Sequence, residues 1–205
     1  MDVAIVDAEI GNVTSVLKMF QAVDCEAEIV RTPDQAARAR RLVIPGVGAF
    51  DAGMAALNSG WRDILDELAL ARKIPVLGIC LGMQLLCRRS EEGSSQGLGW
   101  IEGDVTRIDA GGDRRLKIPH MGWAEVRPVR TNPLIPRDEG PQRFYHVHSY
   151  KMECDDPENV VATVDYGGAF VTAVWKDNIF GVQFHPEKSH RFGMELMRRF
   201  AGLPC

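Results

Sequence analysis

The sequence predicts a single-domain α/β protein with a mixed, largely parallel sheet flanked by helices, and three observations carry that expectation. Through the first half of the chain, compact apolar runs alternate with segments whose apolar residues recur at helical spacing. Those runs are apolar at successive positions, as strands buried on both faces must be, which is the pattern of a parallel sheet sandwiched between helices. From about Gly97 the texture changes to short strands punctuated by turn residues, which reads as mixed or antiparallel pairing. With 205 residues, and no repeat, linker or low-complexity stretch, one domain spanning 1–205 is expected.

In order, VAIVD (Val3 to Asp7) is a first strand, and Val13, Val16, Leu17 and Phe20 place the next segment on a helix. EAEIV (Glu26 to Val30) is a second strand, and PDQAARAR, with Pro33 suited to a first helical turn, predicts a helix over 33–40. RLVIP (Arg41 to Pro45) opens a third unit, followed by helical stretches over Ala52 to Leu57 and Trp61 to Arg72. IPVLGI (Ile74 to Ile79) is a fourth strand that runs into the helix-like LGMQLLCRR. Beyond Gly97 come WIEGDVTRI, AEVRPV, RFYHVHSYKME, NVVATVDYGGAFVTAVW with Gly167-Gly168 as a hairpin turn, and IFGVQF. SHRFGMELMRRF closes the chain as a helix with Phe192, Leu196 and Phe200 on one face, a pattern of core packing.

A net charge of -4 argues against nucleic-acid and membrane-surface partners, and the basic runs Arg38 to Arg41 and Arg198-Arg199 read as solvated faces. The N-terminal stretch has an acid at position 2 and only a brief apolar run, so it reads as a strand and not a signal peptide. No stretch approaches the ~18 apolar residues needed to span a bilayer, and a cytoplasmic protein is expected. Cys25, Cys80, Cys87, Cys154 and Cys205 are odd in number, irregularly spaced and without C-x-x-C, which is neither a disulfide framework nor a zinc site.

One cysteine stands apart. Gly78-Ile79-Cys80-Leu81-Gly82 lies at the junction of the fourth strand and the next helix, as the nucleophile elbow G-x-S-x-G does, with sulfur in place of oxygen. The flanking glycines let strand and helix pass closely, and the helix N–H groups aimed at the sulfur favour a thiolate. Alone, this pattern fits a buried cysteine in a βα turn equally well; a base is needed. Among five histidines, His185 ends an apolar strand in GVQFHPEKS, and Glu187 follows two residues later. Were the chain to stay extended, both side chains would lie on one side, where the carboxylate could orient and charge the imidazole. His146-x-His148 offers two metal ligands without nearby acids or cysteines, a weak site, and no metal is expected. The glycines of IPGVGAF (Ile44 to Phe50) would let backbone N–H groups reach a reacting carbonyl as an oxyanion hole. No G-x-G-x-x-G spacing with a later acid and no G-x-x-x-x-G-K-[ST] loop is present, which removes nucleotide readings.

In this order and spacing, PGVGAF, GICLGMQLL, SEEG followed by GLGWIEG, KIPHMGW, FYHVHSY and GVQFHPEKS closely resemble the class I (triad) glutamine amidotransferases. PHMGW and HPEKS resemble in particular the glutaminase subunits of imidazole glycerol phosphate synthases, enzymes of histidine biosynthesis. The resemblance covers nearly the whole chain and implies that family's fold, with a flavodoxin-like core. It implies hydrolysis of L-glutamine to glutamate and ammonia through a glutamyl thioester, with Cys80 as nucleophile, His185 as proton shuttle and Glu187 holding the imidazole. It places the oxyanion on the backbone amides of Leu81 and of Val47 or Gly48, and glutamine against Gly48, Gln84, Glu92, Ser149 and Tyr150. No cofactor is implied. Read without the resemblance, Gln84 is an exposed helix residue and Ser149 and Tyr150 are ordinary strand residues.

Such a chain has no room for a second catalytic domain, so the resemblance implies a heterodimer with a separate (β/α)8 barrel cyclase subunit, which receives the ammonia through a tunnel. Asn12, His120, Trp123 and Lys188 match motif positions at or near that interface. In the family the oxyanion loop tends to be misaligned until the partner binds its ligand. The first loop, DAEIGN, departs from the family's Tyr-Gly-x-Gly-Asn pattern at Ala8 and Glu9, which bears on the interface and its coupling. Two other classes stay open: the same triad serving another substrate or amidation pathway, such as a surface-polysaccharide sugar, and a non-catalytic binding or redox-sensing domain.

Overall fold

In the computed structural model, which describes residues 1–109 and 116–204, twelve strands form one mixed sheet. The parallel part comprises β1 (Val3–Val6), β2 (Ala27–Val30), β3 (Arg41–Gly46) and β4 (Val76–Cys80), in the order β2-β1-β3-β4. Between them run α1 (Val13–Gln21), α2 (Pro33–Ala36), α3 (Phe50–Asn58) and α4 (Arg62–Asp66), the last continuing as a π-helical turn over Glu67–Ala71. After β4 come α5 (Leu81–Leu85), β5 (Arg89–Ser90), β6 (Gly103–Arg107), β7 (His120–Pro128), β8 (Gln142–His148) and β9 (Tyr150–Cys154). The chain ends with β10 (Val160–Asp165), β11 (Ala169–Lys176), β12 (Ile179–Val182) and α6 (His190–Ala201). β12 returns to lie parallel beside β4, and β11, β10, β7 and β8 continue the sheet antiparallel. A branch pairs β9 with β11 and β6, and β6 with β5.

The expectation of strands buried on both faces has a direct structural counterpart. Ala4, Val6, Leu42, Ile44 and Val76 face a layer of Phe50, Met54, Leu57, Leu65 and Leu68, while Val3, Ile5, Val43, Leu77 and Ile79 face Val16, Phe20, Leu196, Met197 and Phe200. Alternate residues of one strand therefore feed opposite cores. Asn12 starts α1, its Oδ1 accepting from the Ser15 N–H at 3.2 Å, and Thr32 caps α2 in the same way through Gln35.

Four expectations need correction. The helix over 33–40 is a single turn, because Ala36 and Ala39 are its only buried side chains, too small an apolar face to hold a longer one. RFYHVHSYKME is two strands, β8 and β9, broken at Ser149. Arg41 is not solvated: it is 8% exposed and its Nε donates to the Leu203 carbonyl at 3.1 Å. Arg199, largely covered, pairs with Glu139 and Glu195. No helix among the described residues is long and apolar enough to cross a membrane.

Candidate active site

β4 ends at Cys80 and α5 begins at Leu81 with no intervening residue. Cys80 takes φ 54°, ψ -109°, a region that L side chains rarely occupy and that persists only where surrounding packing imposes it. The glycines supply that packing. A Cβ on Gly82 would sit 1.8 Å from the Ile44 carbonyl oxygen, and one on Gly78 would sit 2.7 Å from the Gly82 carbonyl oxygen, so the elbow closes only with hydrogen at both positions. Cys80 is 7% exposed and lines a cavity of about 420 Å³. The other cysteines are poorly placed for chemistry: burial pushes the Cys87 thiol well above its ordinary value and Cys154 up to about 12, and raises Cys25 as well. Cys205 lies outside the described residues.

His185 shares the cavity wall with Cys80, and its Nδ1 is 2.7 Å from Glu187 Oε1. The expected pair forms, but by a different backbone route. The strand stops at Val182, and Pro186–Lys188 is a 3₁₀ turn that brings the carboxylate back to the imidazole. Ser189 fixes this turn, its Oγ donating to the His185 carbonyl at 2.6 Å and accepting from the Tyr145 N–H at 3.0 Å, while the His185 N–H donates to Tyr145 at 2.9 Å. Burial acts to lower the His185 pKa, yet the Cys80 thiol and the Glu187 carboxylate outweigh it and hold the imidazole at about 9. That value favours the imidazolium at neutral pH, and with Nδ1 held by Glu187 it is Nε2 that is left to interact with Cys80.

Val47, Gly48, Leu81, Gln84, Glu92, Ser149, Tyr150 and Lys188 line the same cavity. Glu92 Oε2 accepts from the Phe50 N–H at 2.8 Å, at the start of α3, which fixes the carboxylate in the wall. Gln84 is not an exposed helix residue: it is 5% exposed, and its Nε2 donates to Gln183 Oε1 at 3.1 Å. The loop expected to receive the oxyanion has one amide already engaged. The Val47 N–H donates to the Ile10 carbonyl at 2.5 Å, so in this arrangement it is committed to the first loop. Gly48 follows at φ +101°.

The motif positions assigned to an interface separate. Lys188 is exposed at the cavity, Asn12 caps α1, and Trp123 is 40% exposed, its ring stacked on His190 with centroids 5.4 Å apart. His120 is 3% exposed, so its side chain lies inside the protein and not on the surface. It stacks on His146 and Tyr166, and burial holds His120, His146 and His148 at about 4, about 2 and about 3, uncharged at neutral pH. Two residues had no expected role. Gln183, fully buried, donates from Nε2 to Cys80 Sγ over 3.7 Å, and His148 lines the cavity. The signal for Gln183 was its place two residues before His185 in the apolar run IFGVQF, where period-two alternation in a continued strand would put both on one side, although the strand itself stops at Val182. Together these groups make a sulfur nucleophile beside an imidazole oriented by a carboxylate, the equipment for acyl transfer through a thioester.

A family model described as glutamine amidotransferase class-I matches residues 4–202. The chain is 45% identical over 202 residues to the imidazole glycerol phosphate synthase subunit HisH 2 of Pseudomonas aeruginosa, covering 98% of this chain and 99% of that protein. It is 44% identical to subunit HisH of Leptospira interrogans, over 98% of this chain and 100% of that one. Among solved structures, PurLQS from Thermotoga maritima matches with a TM-score of 0.77 at 18% identity, covering 97% of this chain and 96% of that chain. A structure titled glutamine amidotransferase matches with a TM-score of 0.72 at 18% identity, over 96% and 99%. At that identity the likeness is one of fold.

Proposed function

Because the chain belongs to the class I glutamine amidotransferase family, it is a glutamine-hydrolysing enzyme, and we propose that it is the glutaminase subunit of an imidazole glycerol phosphate synthase with Cys80, His185 and Glu187 as its triad. The observation that carries the residue roles is the 2.7 Å pairing of His185 with Glu187 on a cavity that also holds Cys80, Gln84, Glu92, Ser149 and Tyr150. Cys80 sulfur attacks the side-chain amide carbon of glutamine, and the oxyanion rests on the Leu81 amide and an amide of the Val47-Gly48 loop. The His185 imidazolium gives its proton to the departing nitrogen, so ammonia leaves and a glutamyl thioester remains. Neutral His185 then takes a proton from water as it attacks the thioester, glutamate leaves, and the thiolate–imidazolium pair is restored. Glu187 keeps Nδ1 protonated throughout. Glu92 offers its carboxylate to the substrate ammonium.

The ammonia passes to a (β/α)8 barrel cyclase subunit, which makes imidazole glycerol phosphate and aminoimidazole carboxamide ribotide, and the pair works in the cytoplasm. Support for the docking face comes from β7, where Met121 and Trp123 are 61% and 40% exposed two residues apart on one side. The Val47–Ile10 hydrogen bond supports a second element of the reading. Releasing that amide to the oxyanion requires a backbone bond worth about 0.5–1.5 kcal/mol to be exchanged, so the isolated subunit is slow and the partner's ligand speeds it.

The test is glutamate release by the purified chain, alone and with a cyclase subunit plus its nucleotide ligand, beside Cys80→Ala. Stimulation that disappears in Cys80→Ala supports the triad and the partnership together. A second reading, in which the same glutaminase serves another ammonia acceptor, is favoured by the DAEIGN loop, where Glu9 sits at φ 62°. It expects hydrolysis that ignores the histidine-pathway cyclase.

A further inference from the structure

Behind the active site lies a cluster of three histidines that glutamine hydrolysis does not use. His146 and His148 are two residues apart on β8 and so project to one face, and the ladder sets His120 of β7 directly opposite His148. The residue opposite His146 is Gly122, which puts no side chain between the rings. One ligand-capable nitrogen of each histidine lies within 4.8 Å of the others, and all three residues are buried.

The hydrogen bonding is half complete. His148 Nδ1 donates to the Tyr150 carbonyl at 2.8 Å, which leaves Nε2 as its lone-pair nitrogen. A carbonyl behind one ring nitrogen is the arrangement that orients a metal-binding imidazole. His146 Nδ1–H donates to His148 Nε2 at 3.2 Å, a hydrogen bond that a bound ion would replace, and the separation is close to the ~3.3 Å between two nitrogens on a tetrahedral ion with bonds of about 2.0–2.1 Å. His120 Nδ1 and His146 Nε2, the nitrogen of that ring not engaged with His148, are buried with no hydrogen-bond partner among the described residues. Buried polar atoms left in that state call for a water or an ion.

We infer that His120, His146 and His148 form a binding site for a divalent transition-metal ion of the zinc class, with three imidazole ligands and a fourth position open. The donor set is all nitrogen, which suits zinc, cobalt or copper and not the oxygen-seeking magnesium or calcium. His148 also lines the active-site cavity, which gives the ion a path from solvent. The His120 and His146 rings are stacked with centroids 4.6 Å apart, so loading requires His120 to turn within the space bounded by Tyr166.

The experiment adds Zn²⁺, and Co²⁺ as a spectroscopic stand-in, to the full metal-free chain and to Cys80→Ala, His146→Phe and His120→Gln. Expected are one ion per chain in the parent and in Cys80→Ala, visible Co²⁺ bands of a four-coordinate site without a sulfur charge-transfer band, and affinity lost by about 100-fold or more in both histidine variants. Circular dichroism checks that those variants fold. If either does not, histidine-ring NMR of the parent keeps the test open: Zn²⁺ is expected to shift the three ring sets together while His190 stays in place. Absence of micromolar binding, binding that survives both histidine substitutions, or binding lost in Cys80→Ala overturns the site.

Discussion

Replacing Glu187 by glutamine removes one charge and little volume, and it probes the part of the site on which the mechanism turns. The Glu187 carboxylate and the Cys80 thiol together hold His185 at about 9 against the lowering effect of burial, from an ordinary 6.5. Both side chains of the His185–Glu187 pair are almost wholly buried, at 2% and 4% exposed, so solvent screens the interaction little. A displacement of that size is on the order of 3 kcal/mol in favour of the imidazolium. An opposite charge at this range accounts for about 1–3 pH units, so glutamine at 187 should move the His185 titration down by at least one unit. The sign follows from the group's role: below its pKa His185 carries the proton that ammonia needs, and above it that proton is gone. The alkaline limb of kcat/KM for glutamate release, measured from pH 5 to 10 with the cyclase partner present, is expected near pH 9 in the parent and nearer 8 or below in Glu187→Gln. The rate at pH 7.5 should fall by up to about 10⁴-fold, chiefly because glutamine no longer holds the imidazole in the tautomer that protonates the leaving nitrogen. An alkaline limb that stays near 9 in the variant, at an unchanged rate, would refute the assignment.

Three further outcomes are expected. Gly82→Ala puts a methyl 1.8 Å from the Ile44 carbonyl and should cost about 3 kcal/mol or more in urea unfolding; a loss under 1 kcal/mol contradicts the tight elbow. Gln183→Leu strips the amide donor 3.7 Å from Cys80 Sγ and leaves Gln84 Nε2 without that partner, so iodoacetamide should label Cys80 about tenfold more slowly at pH 7. Unchanged labelling would show that the contact does nothing for the sulfur. Met121→Asp places a charge on the exposed apolar face of β7 and should weaken cyclase binding, measured by calorimetry, by about tenfold or more; equal affinity would move the docking face elsewhere.

Much of this was legible in the residues because the chemistry needs particular geometry. Gly78 and Gly82 signalled the elbow since nothing larger fits against Ile44 and the first turn of α5, and the structure bears this out atom by atom. The apolar runs of β1, β3 and β4 announced burial on two faces. What stayed hidden depends on pairing over long sequence separations. The meeting of His120 with His146 and His148 follows from the β7–β8 register, which local pattern does not specify. The commitment of the Val47 amide to Ile10 joins two loops that no periodicity links, and the link between Gln84 and Gln183 spans elements far apart in the chain. Glu187 reached His185 through a 3₁₀ turn instead of an extended strand, so the expected pair was right and the expected backbone was not.

The central claim is a covalent one: that glutamine turnover passes through a thioester on Cys80. Acid quenching of the complex during steady turnover, followed by intact-mass and peptide-mass analysis, tests it directly. The expected result is one glutamyl group on the peptide carrying Cys80, absent without glutamine and absent in Cys80→Ala together with glutamate release. Undiminished release in Cys80→Ala, or a glutamyl group on Cys87 or Cys154 instead, would contradict it.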